Sequence, residues 1–238
     1  MVFGLLYALL AGAMIPLGAL LAAREPAEDG QRRAKLHHAV TAFAGGALMS
    51  AVALVLVPEG SERLSTGLAL ASFVFGGVLF AGMDAVLAKR GGGRGQLVAM
   101  VSDFLPEAVA LGALLAMGAD GALVVAAIIG LQNLPEGYNS FLEAAPEGRE
   151  ARRSLLLSYC GLALLGPLAA YLGFTVFSEA EGALGVIMMA AAGGILYLVF
   201  EDVAPKVAPQ DGMDVAFAPA LGAVLGFSLG LLGHLLSS

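Results

Sequence analysis

Long runs of apolar residues alternate with short polar connectors along the whole chain. Runs of spanning length occur at 3–22, 39–57, 68–87, 97–117, 122–142, 155–176, 184–200 and 215–236. Each is close to the ~20 residues an α-helix needs to cross the hydrocarbon core of a bilayer. The predicted fold class is therefore all-α: a polytopic membrane protein with eight transmembrane helices, forming a single domain over residues 1–238. The connectors are short, and GADG between the fourth and fifth runs is among the shortest. Runs four and five must then stand antiparallel and side by side.

Composition supports the bilayer as solvent. The chain is 59% hydrophobic and 13% charged, with a mean hydropathy of +0.87, whereas a soluble domain carries about 25% charged residues. The net charge of −7 speaks against a nucleic-acid partner, which demands a basic surface. A single cysteine, Cys160, permits no intramolecular disulfide and reads as a small hydrophobe within an apolar run. The first run lacks a basic leader and is expected to be a spanning helix rather than a cleaved signal.

Positive charge orients the predicted bundle. The first, third, fifth and seventh connectors hold Arg24, Arg32, Arg33, Lys35, Lys89, Arg90, Arg94, Arg149, Arg152, Arg153 and Lys206; the opposite side holds only Arg63. Basic residues favour the cytoplasmic side of short loops, so both termini are expected outside the cytoplasm. An even number of spans requires the termini to share a side, in agreement with that bias. AFAGGALMSA and AAAGGILYL offer the small residues through which membrane helices approach closely.

Two polar clusters interrupt this pattern at depth. SDFLPEAV brings Asp103, Pro106 and Glu107 into the fourth run, and GLQNLPEGYNS brings Gln132, Asn133, Pro135 and Glu136 into the fifth. A charge at the bilayer centre costs ~2.5–3.5 kcal/mol even on the gentler insertion scale. Such residues mark ion or proton paths. Asp103 and Glu107 are i, i+4 and share a helix face, as do Gln132 and Glu136. Pro106 and Pro135 lack an N–H for the carbonyls of Ser102 and Leu131, which predicts kinks and extra oxygens beside the carboxylates. With every Lys and Arg in a connector, a cation from outside the chain is the natural partner. Asp103, Glu107, Gln132, Asn133 and Glu136 form an all-oxygen cage suited to a divalent cation. The alternative is two kinked helices whose inward polar residues bond one another. Asp84, close to Lys89 at a helix end, reads as solvated at the interface.

These motifs resemble the ZIP (Zrt/Irt-like) family of divalent-metal transporters, in a divergent prokaryotic-type form. QNLPEG is similar to the family's fifth-helix His/Gln-Asp/Asn-x-x-Glu-Gly motif at Gln132, Asn133, Glu136 and Gly137. DFLPEA is similar to the fourth-helix His-Asn-x-Pro-Glu-Gly motif, with Asp103 at the His position, Phe104 at the Asn position and Glu107 at the Glu position. The resemblance extends over the chain, through AFAGGALMSAVALVLVPEG in the second run and GGILYLVFEDVAP in the seventh. It implies a ZIP-like bundle in which helices 1, 4, 5 and 6 carry the metal. It also implies a thioether ligand at Met49, and it sets Glu201–Asp202 where many members have His-Glu.

Two departures fall on the family's second metal position: Phe104 replaces a ligand, and Gly166 precedes Pro167 where a Glu-Pro pair is expected. One metal rather than two is the expectation. The ligands are oxygens plus Met49, a set that favours Mn²⁺ or Fe²⁺, with Zn²⁺ and Cd²⁺ still admissible. His37, His38, Glu201 and Asp202 are the candidate cytoplasmic pathway.

The expected function is secondary transport of divalent cations by alternating access, in a bacterial inner (plasma) membrane, with the lipid bilayer as surroundings and no organic cofactor. The sequence is also compatible with a homodimer. No P-loop and no HExxH pattern is present, so neither nucleotide-driven transport nor an enzyme is expected. Two other readings are a transport-inactive metal-binding or regulatory protein and, behind it, an intramembrane metal-dependent enzyme.

Overall fold

The computed structural model describes residues 2–24, 30–87, 93–116, 122–144, 147–176, 180–207 and 220–237. These are helical nearly throughout, with no strand among them. The helices are α1 (Val2–Arg24), α2 (30–62), α3 (Thr66–Leu87), α4 (Gly93–Ala116), α5 (Ala122–Ala144), α6 (Gly148–Val176), α7 (181–207) and α8 (Leu221–Ser237). Five of them, over Gly4–Arg24, Lys35–Glu62, Thr66–Val86, Gly148–Val176 and Glu181–Val207, are long and apolar enough to cross a membrane. Phe104–Ala116 of α4 and Leu221–Leu235 of α8 are apolar helical stretches as well. Large apolar side chains such as Leu70, Val78, Leu164, Leu168 and Leu225 are exposed around the outside, a surface that suits lipid and not water. The chain is a helical membrane protein.

Proline placement explains the irregular turns. In α2 the helix changes to π-helical over Val52–Leu56 ahead of Pro58, and in α7 over Val199–Val203 ahead of Pro205. A proline has no N–H and its ring crowds the preceding carbonyl; one wider turn accommodates both. In α1, α4, α5 and α6 the helix runs through Pro16, Pro106, Pro135 and Pro167 instead. α4 and α5 are thus continuous helices through Pro106 and Pro135, where the sequence predicts kinks.

Packing divides the helices into two groups. α1 packs on α5 and α6, and α4 packs on α6 and α5; α2 packs on α8 and α7, and α3 packs on α7. The buried residues of one hydrophobic core, around Ile15, Phe104, Leu111, Tyr159 and Ala170, come from α1, α4, α5 and α6, with Val40 of α2 packed against it. A second lies where α2 and α7 meet α4 and α5, around Val52, Val55, Leu114, Ile128 and Leu184. Within each group the crossings are backbone to backbone. A methyl at Gly137 would lie 2.1 Å from the Ile15 carbonyl oxygen, and one at Gly173 would lie 2.0 Å from that of Val109. In the other group Gly46 meets Ala223 and Gly193 meets Phe73 as closely. The glycines of AFAGGALMSA and AAAGGILYL thereby serve helix contact, as their spacing suggests.

Some polar ties lie within one group. Ser140 Oγ and Tyr159 Oη are 2.6 Å apart across α5 and α6. Asp84 is not simply solvated: it is part-buried, and its carboxylate accepts from Tyr197 Oη of α7 at 3.3 Å. Arg63, just past the end of α2, is ion-paired to Glu59 at 2.7 Å.

Candidate metal site

The two polar clusters meet. Glu107 on α4 is 3% exposed, and Gln132 and Asn133 on α5 are each 1% exposed. Gln132 Nε2 donates to Glu107 Oε1 at 2.5 Å, and its own Oε1 is buried with no hydrogen-bond partner among the described residues. Antiparallel neighbours joined by a short connector bring the positions to one depth, as the sequence requires. The hydrogen bond also means that the polar residues partly satisfy each other, the alternative considered from sequence. Glu136, one turn beyond Gln132 on the same face of α5, is part-buried, with Oε1 fully inside the protein.

Asn133 has a different task in this conformation. Its Nδ2 donates to the Ala11 carbonyl at 2.9 Å, tying α5 to α1. Gly137 of the same motif is what lets α1 come that close. Asp103 lies on α4, with its side chain outside the described residues.

Met49 is placed apart from these groups. Ala51, Val55 and Leu56 of α2 border a cavity of about 20 Å³ beside Glu107, room for about one water molecule. Met49 instead borders a groove of about 640 Å³ between α2, α7 and α8. Two residues before Ala51 is about 200° round a helix, and Met49, which packs against the second core, is not among the residues bordering the Glu107 cavity. Among the described residues no three His, Cys, Asp or Glu side chains converge. Among the described residues, Glu107, Glu136 and Gln132 can offer oxygen to a cation here.

Phe104 fills the neighbouring space. It is 2% exposed, and its Cζ would lie 2.6 Å from a methyl at Gly166 and 2.8 Å from one at Gly12. The ring is seated between two glycines of α1 and α6, and any larger residue at 166 would strike it.

The faces that α2 and α5 turn toward each other change character along the bundle. Val125 and Ile128 precede Gln132 on α5, and Val55 and Leu56 follow Ala51 on α2; with Leu114 these make an apolar layer on one side of Glu107. On the other side the same α5 face continues to Asn139 and Glu143, and the α2 face to Thr41 and His37. Asn139 Nδ2 donates to Thr41 Oγ1 at 2.8 Å, and Lys206 Nζ of α7 reaches Glu143 Oε1 at 2.8 Å. His38, 6% exposed, donates through Nδ1 to the Lys206 carbonyl.

The pathway expected from sequence is partly rearranged. Glu201 is exposed on the π-helical turn, and the side chain of Asp202 lies outside the described residues. The α7 residue that reaches the histidines is Lys206, which the charge pattern had placed simply in a connector. Lys206 is 63 residues from Glu143 and 168 from His38, so no local spacing announces the cluster. The signal was Glu143 itself, i+11 from Gln132 on one face of α5.

No protein-family model matches the chain, and a comparison with curated proteins yields no match.

Proposed function

We propose that the chain is a secondary transporter of divalent metal cations, with the substrate ion held between α4 and α5 by Glu107, Glu136, Gln132 and Asp103. The observation that carries this reading is the position of Glu107 and Gln132. They are almost fully buried and bonded across α4 and α5, and Glu107 borders a water-sized cavity at the junction of the two helix groups. Buried carboxylates are costly unless a cation or strong hydrogen bonds compensate. The resemblance of QNLPEG and DFLPEA to the ZIP motifs supports the same assignment.

The division into α1, α4, α5, α6 and α2, α3, α7, α8 suits alternating access by movement of one group against the other. In this reading all eight helices span, and both termini lie outside the cytoplasm of a bacterial inner membrane. The apolar layer of Val55, Leu56, Leu114, Val125 and Ile128 then closes the outer approach, and Thr41, Asn139 and Glu143 stand on the cytoplasmic side. The cation crosses the layer when the carrier group shifts past α2. Met49 becomes a ligand only if that shift brings its face of α2 to the site.

Phe104 seated on Gly166 supports one substrate ion rather than two. Anomalous scattering from crystals grown with Mn²⁺ is expected to place one full-occupancy ion in the centre; two would contradict it. Ligation needs deprotonated carboxylates, so protons compete and metal affinity falls as pH drops. Titrations between about pH 5 and 8, which cover the acid side of neutrality, check this. An affinity flat over that range would separate metal binding from the carboxylates. Asp103→Asn is expected to flatten the dependence, and Asp103→His to move preference toward Zn²⁺.

The second reading, a metal-binding protein without transport, is favoured by the Gln132–Glu107 bond and the Phe104 plug. Flux into sealed proteoliposomes separates the two.

A further inference from the structure

The two helix groups are tied to each other at one end of the seam between α2 and α5. Lys206, at the end of α7, is anchored through its backbone: its carbonyl accepts from His38 Nδ1 of α2. Its ammonium reaches the other way, to Glu143 Oε1 of α5 at 2.8 Å. One residue thus bridges α2 and α7 of one group to α5 of the other. One turn back along α5, Asn139 Nδ2 donates to Thr41 Oγ1 at 2.8 Å. Thr41 is only 4% exposed, whereas solvent reaches both members of the ion pair.

The corresponding contact on the far side of Glu107 is closed by different chemistry. α7 repeats the features of α2. Gly46 of α2 faces the Ala223 carbonyl, Gly193 of α7 faces the Phe73 carbonyl, and a methyl on either would lie 1.9 Å from that oxygen. A π-helical turn begins six residues after each glycine, at Val52 and Val199, ahead of Pro58 and Pro205. α4 repeats α5 likewise: Gly137 of α5 faces the Ile15 carbonyl of α1, and Gly112 of α4 faces the Ala170 carbonyl of α6. Thr41, five residues before Gly46, therefore corresponds to Met188, and Asn139, two after Gly137, corresponds to Leu114. Met188 and Leu114 are both buried in the second core. Lys206, directly after Pro205, corresponds to Glu59, which pairs with Arg63 close by in sequence and not across the division. One end is packed with apolar side chains; the other is held by polar ties that water can replace at small net cost.

We propose that the Lys206–Glu143 ion pair is a releasable latch that holds the α2–α5 seam shut. Lys206 stays anchored to α2 through its carbonyl, and the ammonium lets go of Glu143 when the seam opens. Water then solvates both charges, so parting costs far less than pulling apart a buried pair. The Thr41–Asn139 bond beneath breaks in the same movement, and the buried face of α2 becomes wet. The apolar contact of Met188 and Leu114 has no such exchange with water available to it. The latch thereby makes the Thr41 end the one that yields first. It rests on the transport reading for its purpose, release of the ion on that side, but the opening itself is measurable without any metal.

The test is the rate at which a small maleimide labels Thr41→Cys in the full chain, in detergent and metal-free buffer, with Cys160→Ala removing the native thiol. Lys206→Gln and Glu143→Gln are each expected to raise that rate about two- to fivefold, the scale of a part-exposed ion pair. The two together should do no more than either alone, and the exchange Lys206→Glu/Glu143→Lys should bring the rate back toward the parent's. Ser72→Cys, 5% exposed on α3 and within one group, is the control, and its labelling should not respond. Each variant is first checked for a monodisperse elution profile; if Glu143→Gln does not fold, Lys206→Gln and the exchange carry the test. Unchanged Thr41→Cys labelling in Lys206→Gln overturns the latch, as does an exchange variant as reactive as Lys206→Gln. An equal rise at Ser72→Cys also overturns it, because the pair would then merely stabilise the whole fold. Failure of the parent to accumulate Mn²⁺ in proteoliposomes would sink the transport reading and leave these labelling rates, and the latch they report, unaffected.

Discussion

Glu136→Ala and Glu107→Ala are each expected to abolish divalent-metal uptake in folded protein. Removing a group that only supports a metal ligand already costs about 10–100-fold; removing a carboxylate ligand itself should cost at least the upper end of that range. Glu107→Gln gives the sharper comparison. Gln at 107 keeps the volume of the buried side chain and an oxygen to accept from Gln132 Nε2, a bond of 2.5 Å in the native protein. It removes only the charge. If Glu107 and Gln132 exist to hold α4 against α5, Glu107→Gln should transport normally. On the metal-ligand account it loses uptake as Glu107→Ala does, while its thermal stability stays close to that of the parent. Uptake of radioactive or fluorescently reported Mn²⁺ by purified, reconstituted variants decides between these outcomes.

A covalent tie between the two helix groups is expected to stop transport, and one within a group is not. Thr41 and Asn139 touch across the division at 2.8 Å, so Thr41→Cys/Asn139→Cys in a Cys160→Ala background offers a pair for a short bifunctional thiol reagent. Asp84 and Tyr197 touch inside the α2, α3, α7, α8 group at 3.3 Å, and Asp84→Cys/Tyr197→Cys is the control. Each protein is compared with itself before and after cross-linking, which removes the effect of the substitutions. Loss of uptake to the level of protein-free vesicles in the first pair, with little change in the second, is the predicted pattern. Full activity in a cross-linked Thr41–Asn139 pair would mean that the groups do not move apart there.

Much of this fold was readable because the hydrocarbon core imposes a length and an apolar composition on whatever crosses it. The runs mark only the part of each helix that composition selects. The second run begins at residue 39, whereas α2 begins at Gly30 with GQRRAKLHH, polar residues that continue the helix past the apolar stretch. α6 likewise starts at Gly148, ahead of its apolar run. The fourth and fifth runs also form helices, α4 over Gly93–Ala116 and α5 over Ala122–Ala144. The π-helical turns had a visible cause in Pro58 and Pro205, yet a proline in a membrane helix permits several local outcomes, and Pro106 and Pro135 took another.

The meeting of Glu107 with Gln132 was legible because i, i+4 spacing and a short connector leave little freedom. Met49 was not, because its assignment came from resemblance, and the facing of α2 is set by where Gly46 meets Ala223 and Ala51 meets the Glu107 cavity. The pairing of Lys206 with Glu143 depends on how two helix groups dock. No single helix encodes that.

Transport itself is most directly tested by flux. The full chain, reconstituted into sealed proteoliposomes, is given Mn²⁺, Fe²⁺, Zn²⁺ or Cd²⁺ outside, and the ion accumulated inside is followed with time. The account predicts saturable accumulation above protein-free vesicles for at least one of these ions, with Mn²⁺ or Fe²⁺ preferred by an oxygen-rich site. No accumulation of any of them by protein that still binds metal would contradict it, and would leave a metal-binding membrane protein in place of a transporter.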